Sequence, residues 1–333
     1  MAERRLKVLI ALYHKLPPWN LPEEMQASLQ GGFPSVEIGR ASSQQELEKE
    51  IEEADILFSW RLPREVFLRA RRLKWVHVAA AGVGGSLHQE MMDSSVILTN
   101  SKGIHSIQAA EHAMGLILCL LRKLPLAIGY QRQGEWGGER ILERIHQFDE
   151  LYGKTMGVIG LGNIGKEIAK RAKCFGMRVV ATKRRPLGEL PDGVDQLFSP
   201  EELPLLMGEA DWVVISAPLT SITRGLIGER ELALMKRSAY LVNISRGKIV
   251  QEKALIRALE EGRIAGAALD VFEKEPLPQS NPLYRMENVI ITPHIAGMSR
   301  YYFERAVDIF RSNLSRYING EPLINVVDKK EGY

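Results

Sequence analysis

The sequence predicts an α/β protein of two domains, each a Rossmann-like or flavodoxin-like parallel sheet wrapped by helices. Three observations carry that reading. Short apolar runs alternate with helical stretches along the chain, the pattern of parallel strands joined by crossover helices. The stretch Thr155-Met-Gly-Val-Ile-Gly160-Leu161-Gly162-Asn163-Ile164-Gly165 runs a strand through a glycine turn into a helix. A chain of 333 residues, 45% of them hydrophobic, is long enough for two cores, given roughly 100 to 200 residues per domain.

Taken in order, residues 6 to 10 (Leu-Lys-Val-Leu-Ile) form a first strand. Ser43-x-x-Glu46 is a capping box opening the helix that leads to the strand Ile56-Leu-Phe-Ser59. Lys74 to Ala79 is a further strand, followed by Ala80-Ala-Gly82-Val83-Gly84-Gly85, whose small residues leave backbone N–H groups uncovered. Such a loop either binds an anion or simply turns the chain. From His105 to Leu124 the chain reads as a helix apolar on most faces, so it must be buried, against the other domain or a second subunit. Tyr130 to Gly153 is an excursion whose role the sequence does not spell out.

In the glycine turn Gly160-Leu161-Gly162-Asn163-Ile164-Gly165 the first glycine makes a tight turn, the second lets a pyrophosphate approach the backbone, and the third lets helix and strand pack closely. Beyond it, apolar runs at 178–182, 212–216, 239–244, 264–269 and 288–292 read as strands of a buried sheet. Ser199-Pro-Glu-Glu202 combines a capping box with proline at the first helical position. One internal echo stands out: Glu53-Ala-Asp-Ile-Leu-Phe-Ser59 recurs as Glu209-Ala-Asp-Trp-Val-Val-Ile-Ser216, which points to related units in the two domains. The closing helix, Tyr301 to Ile318, is expected to pack back on the first domain. The boundaries that follow are 1–103 with 297–333, and 104–296.

Composition narrows the function. A net charge of +3 gives no ground for nucleic-acid binding. The cysteines, Cys119 and Cys174, stand in apolar or helical stretches and imply neither a disulfide framework nor a metal cluster, as in a reducing cytoplasm. The N-terminal residues run straight into a strand, so no signal peptide is expected. The apolar run Met114 to Leu121 is far shorter than the ~20 residues that span a bilayer.

Ligands of an open parallel sheet bind beyond the C-terminal ends of its strands. There stand Gly160-Leu-Gly162, Thr182-Lys183-Arg184-Arg185, Ser216-Ala217-Pro218, Ser245-Arg246-Gly247, Asp270 to Glu275, and Pro293-His294. An arginine, several acids and a histidine thus gather at one edge. Arg246 offers a planar fork for a carboxylate, His294 a ring that gives or takes a proton near neutral pH, and Glu275 a charge that favours the imidazolium. The remaining histidines (His14, His77, His88, His105, His112 and His146) lack such company and read as structural or surface groups.

Gly160-Leu-Gly-Asn-Ile-Gly165, Asn243-Ile-Ser-Arg-Gly247, Leu269-Asp-Val-Phe-Glu-Lys-Glu-Pro276 and Thr292-Pro-His-Ile-Ala-Gly297 together resemble the D-isomer-specific 2-hydroxyacid dehydrogenases. The resemblance implies an Arg246, Glu275 and His294 active site, in a cleft between a substrate-binding and a dinucleotide-binding domain. It makes Gly82-Val83-Gly84 the loop whose N–H groups hold the substrate carboxylate, together with Arg246. It implies cofactor contacts along Gly160 to Gly165 and the 182–185 loop, and from Ala217, Pro218, Thr223, Ile244, Ser245, Arg246, Asp270, His294 and Gly297. A homodimer is implied too, with the His105 helix fitting its interface. Where NAD enzymes place an acid, about 20 residues beyond the turn, this chain has Thr182-Lys183-Arg184-Arg185, which favours NADP(H). The expected activity is reduction of glyoxylate, hydroxypyruvate or another small 2-keto acid. The alternatives are a 3-phosphoglycerate dehydrogenase and, from another class, a dinucleotide-binding co-repressor scaffold.

Overall fold

Strands β1 (Leu6–Ala11), β2 (Val36–Arg40), β3 (Ile56–Ser59), β4 (Trp75–Val78) and β5 (Ile97–Asn100) form one fully parallel sheet, ordered β2-β1-β3-β4-β5. They belong to the first of two units into which the chain divides in this computed structural model, residues 1–104 with 299–333; the second is His105–Met298. Residues 5–184 and 189–332 are described; Arg185 lies outside them.

The first sheet is buried on both faces, which is why its strands read as near-continuous apolar runs rather than alternating ones. Val8, Ile10, Phe58 and Trp75 face the closing helix Tyr302–Ile318, while Leu9, Leu57, Val76 and Val78 fill the opposite core. Phe310 of that helix stacks on Phe58 at 4.3 Å and on Trp75 at 5.3 Å between centroids. His77 is buried among these rings, its nitrogens 2.7 Å from Thr99 Oγ1 and 3.1 Å from Ser101 Oγ. Burial pushes this imidazole down to about 3, so it is neutral in the folded protein.

The second unit holds β6 (Thr155–Ile159), β7 (Arg178–Thr182), β8 (Gln196–Phe198), β9 (Trp212–Ile215), β10 (Tyr240–Asn243), β11 (Gly266–Leu269) and β12 (Val289–Ile291). Their order, β12-β11-β10-β9-β6-β7-β8, is again parallel throughout and reverses direction between β6 and β9. That reversal opens the crevice in which doubly wound sheets bind ligands.

The echoed segments occupy matching places. Asp55 before β3 accepts the Lys7 N–H of β1 at 3.0 Å, and Asp211 before β9 accepts the Thr155 N–H of β6 at 2.8 Å. In return each aspartate N–H donates to the carbonyl of that same partner, at 2.9 Å in both cases.

Three strands lie where the sequence reading placed none. β2 and β8 are edge strands with polar residues interrupting the apolar pattern (Val-Glu-Ile-Gly-Arg and Gln-Leu-Phe), and β5 ends in Thr-Asn. The apolar helix Ser106–Leu121 finds burial within its own unit. Ala110, Ala113, Ile117 and Leu120 pack in that core with Ala169 and Ala172 of the helix Asn163–Cys174 and the sheet residues Val158 and Val242. At Lys123, with φ 51°, the chain turns into the helix Leu124–Gln133. The excursion continues through the helix Gly138–Leu142. Among the described residues no single helix is long and apolar enough to cross a membrane.

Candidate active site

The glycine turn sits at the reversal point. Gly160 follows β6 with φ 94°, and a side chain there would meet Ala217 Cα, just past β9, at 2.6 Å. Glycine is therefore required both for the backbone angle and for the approach of the two loops. Ser216 Oγ donates to the Gly160 carbonyl at 2.7 Å, and Leu161 N donates to the Thr182 carbonyl at 2.9 Å. Gly162 then caps the helix Asn163–Cys174, whose first N–H groups have no intrahelical acceptor. A Cβ at Gly162 would meet nothing within 4 Å, so there is room for a pyrophosphate against the backbone. The residues present fit a dinucleotide, which would lie with its phosphates at this helix end.

Beside the turn, Thr182 is buried and its hydroxyl oxygen accepts the Gly160 N–H at 3.2 Å, so it supports the turn itself. Lys183 follows, half-buried; burial and then the nearby Lys166 ammonium hold it below the usual lysine range. Arg184 is exposed. Thr223 donates its hydroxyl to the Pro218 carbonyl at 2.6 Å and closes the loop after β9. Ser245 Oγ donates to the Ala217 carbonyl, joining the loops after β9 and β10. Ala217 and Ile244 are buried, while Pro218 is exposed.

Backbone packing and hydrogen bonds join the segments that carry Arg246, Glu275 and His294. Asn243, at the end of β10, accepts the Ser245 N–H and donates to the Arg246 carbonyl, both at 3.1 Å, which fixes the turn carrying Arg246. The Arg246 guanidinium is exposed and donates to the Ser245 carbonyl at 2.7 Å. Gly247 lies so close to the Phe272 carbonyl that any Cβ would overlap it. Phe272 N in turn donates to Glu275 Oε1 at 3.0 Å, leaving Glu275 Oε2 for His294 Nδ1 at 2.7 Å. A carboxylate only accepts, so Nδ1 carries a hydrogen and Nε2 is the ring nitrogen that Glu275 does not engage.

His294 itself has φ 55°, a left-handed conformation uncommon outside glycine. Its N–H donates to the Asp270 carbonyl at 2.9 Å. The Asp270 side chain, 0% exposed, accepts from Thr292 Oγ1 at 2.6 Å and from Ile295 N and Ala296 N at 2.9 Å. Burial alone would raise this carboxyl's pKa, but bonds from His112, Thr292, Ala296 and Ile295 outweigh it and hold it below the usual range. The Asp270 carboxylate thus fastens the loop that carries His294. Gly297, in the same loop, offers its carbonyl to His105 and Gln108. The reading of His105 and His112 as groups without company is corrected: both reach the His294 loop. Their signal was available, since His105, Gln108 and His112 recur at helical spacing within an otherwise apolar stretch.

In the first unit the loop after β4 has a mixed character. Val83 is buried and anchors it, whereas Gly82 and Gly84 are exposed. Among the described residues no group of three or more His, Cys, Asp or Glu side chains is placed to hold a metal ion.

A doubly wound sheet with an open glycine turn and a Glu–His pair at its strand ends defines an oxidoreductase of the dinucleotide-binding class. The model of the D-isomer specific 2-hydroxyacid dehydrogenase NAD binding domain matches residues 114–296, and the chain belongs to that family. It is similar to a glyoxylate reductase of Thermococcus gammatolerans, 40% identical over 82% of each chain. It is also 37% identical to D-3-phosphoglycerate dehydrogenase of Methanocaldococcus jannaschii, over 88% of this chain and 55% of that one, so it spans about half of that relative's length. Among solved structures, an NADPH-dependent glyoxylate/hydroxypyruvate reductase from Sinorhizobium meliloti, in complex with NADP and sulfate, superposes with a TM-score of 0.81. That pair is 27% identical and covers 98% of this chain and 100% of the other.

Proposed function

We propose that the protein is an NADP(H)-dependent D-2-hydroxyacid dehydrogenase that reduces a small 2-keto acid of the glyoxylate or hydroxypyruvate type. The observation that carries the reading is the 2.7 Å Glu275–His294 pair, held on a constrained loop at the C-terminal edge of the dinucleotide-binding sheet. Bound at the glycine turn, the nicotinamide cofactor supplies the hydride. Arg246 binds the substrate carboxylate through its planar guanidinium. His294 gives a proton from Nε2 to the oxygen that gains charge as the carbonyl is reduced. Glu275 keeps the ring oriented and stabilises its positive form through Nδ1.

Preference for the phosphorylated cofactor rests on Lys183 and Arg184 beyond β7, where NAD enzymes place an acid. Lys166, close enough to perturb Lys183, adds a third cation. The complexes of related proteins with NADP support the same assignment. A homodimer fits the surface of the 124–152 excursion, which exposes Trp136 (95%), Leu142 (64%) and Tyr152 (80%). Its mass in solution by light scattering tests this. The likeness to the Methanocaldococcus enzyme favours 3-phosphoglycerate as the second candidate substrate. The deciding experiment follows oxidation of NADPH and NADH in parallel with glyoxylate, hydroxypyruvate and larger 2-keto acids, and the reverse reaction with 3-phosphoglycerate. Turnover of NADPH with a short 2-keto acid is the expected result; activity with 3-phosphoglycerate alone would transfer the assignment to the second candidate, and no turnover with any substrate would overturn both.

A further inference from the structure

A stripe of polar side chains on one helix face reaches the loop that carries His294. His105, at the N-cap of Ser106–Leu121, and Gln108 and His112 stand at i, i+3 and i+7, so they line up along the helix. His105 Nδ1 and Gln108 Nε2 each lie 3.1 Å from the Gly297 carbonyl. His112 Nε2 lies 3.0 Å from Thr292 Oγ1 and 3.5 Å from Asp270 Oδ1.

The direction of these bonds follows from what each group can give. Asp270 is an acceptor, and Thr292 Oγ1 stands 2.6 Å from its Oδ1, so the threonine proton goes to Asp270. The lone pair left on Thr292 then requires a donor, which makes His112 the Nε2–H tautomer. From His112 the chain passes through Thr292 to Asp270, and Asp270 fastens Ile295 N and Ala296 N with its side chain and His294 N with its carbonyl. A left-handed non-glycine residue carries a steric cost and persists only where its surroundings over-determine it. At His294 those surroundings are this set of bonds.

We propose that His112 is a positioning residue for proton transfer at His294: it touches neither substrate nor cofactor and acts through Thr292 and Asp270. The inference rests on His294 being the proton donor, as read above. Had His112 merely fastened helix to sheet, its loss would lower stability and leave turnover of the folded enzyme unchanged.

Two pairs of variants separate these roles. His112→Leu keeps bulk and removes the donor, while His112→Gln puts an amide N–H near the place of Nε2. Thr292→Val breaks the chain at its middle, while Thr292→Ser keeps the hydroxyl. Each is assayed for kcat and KM with the best 2-keto acid at saturating NADPH, for NADPH affinity by fluorescence, and for melting temperature. Displacement of a catalytic group by a fraction of an ångström to an ångström costs up to about 100-fold. His112→Leu and Thr292→Val should therefore each lose about 10- to 100-fold in kcat with NADPH affinity unchanged. The Gln and Ser variants should recover most of the loss, and the Leu/Val double variant should fall little further than either alone. The proposal is overturned if His112→Leu keeps kcat within about twofold of wild type, if His112→Gln falls as far as Leu, or if the two losses multiply. Should His112→Leu not fold, Thr292→Val against Thr292→Ser decides by the same criterion. His294→Ala is run alongside: if it stays active, the role of His294 itself is wrong, whereas an inactive His294→Ala beside a fully active His112→Leu rejects only this inference.

Discussion

Asp55 in the first unit and Asp211 in the second make the same pair of bonds to the strand beside them, yet the two sheets end in different chemistry. Beyond the strands of the second unit lie the open glycine turn, Arg246, and the Glu275–His294 pair. The histidines sharpen the contrast. His77, in the middle of the first sheet, is sealed among Phe58, Trp75 and Phe310 and stays neutral, while the His294 side chain is 48% exposed and bonded to a carboxylate. A repeated βα frame thus fixes where strand ends fall, and the loops alone decide whether a titratable group there meets solvent and a partner charge.

The largest effect that would test this contrast is on turnover. His294→Ala should fold and bind NADPH but lose about 10² to 10⁴-fold in kcat, since general acid catalysis contributes that much; steady-state kinetics with a 2-keto acid measures it. At His77 the effect is on stability alone. The unfolded imidazole titrates near 6.5 and the folded one near 3, so stability is fully present above pH 6.5 and falls as the pH drops from there towards 3. The slope should be about 1.4 kcal/mol per pH unit. Urea unfolding of the first unit, followed by tryptophan fluorescence between pH 4 and 7, should show it, and His77→Phe should flatten it.

Next in size come the matched aspartates. Asp55→Ala and Asp211→Ala each strand a backbone N–H, which costs about 1 to 3 kcal/mol when buried. Equal losses in chemical denaturation would mean that the echo is one device used twice; a near-zero loss at either position would end the parallel. The smallest effect is on cofactor choice. Arg184→Ala should raise the KM for NADPH about tenfold, the order of one charge-assisted hydrogen bond, with little change for NADH.

Much of the frame was legible in the sequence because burial on both faces leaves strands such as Ile56–Ser59 and Trp212–Ile215 almost purely apolar. β8 was missed because it has three residues and opens on Gln196, too little for periodicity to register. The same limit shaped the reading of the site. Arg246, Glu275 and His294 stood out because each follows a strand, and the expected Glu275–His294 contact is present at 2.7 Å. What supports them did not stand out. Thr292 and His112 are 180 residues apart in the chain, and no local pattern announces a hydrogen bond between them. That the Asp270 carboxylate gathers bonds from His112, Thr292, Ala296 and Ile295 was likewise announced by no local pattern.

The left-handed backbone of His294 bears on how this protein would respond to laboratory selection. At such an angle glycine carries no steric penalty and asparagine a reduced one, so His294→Gly or His294→Asn should unfold at a higher temperature than the parent, by the equivalent of about 1 kcal/mol. A library screened for thermal resistance alone would therefore enrich these replacements and discard the proposed proton donor. One screened for turnover would keep the strained residue and would have to find its stability elsewhere, in places such as the exposed excursion from 124 to 152.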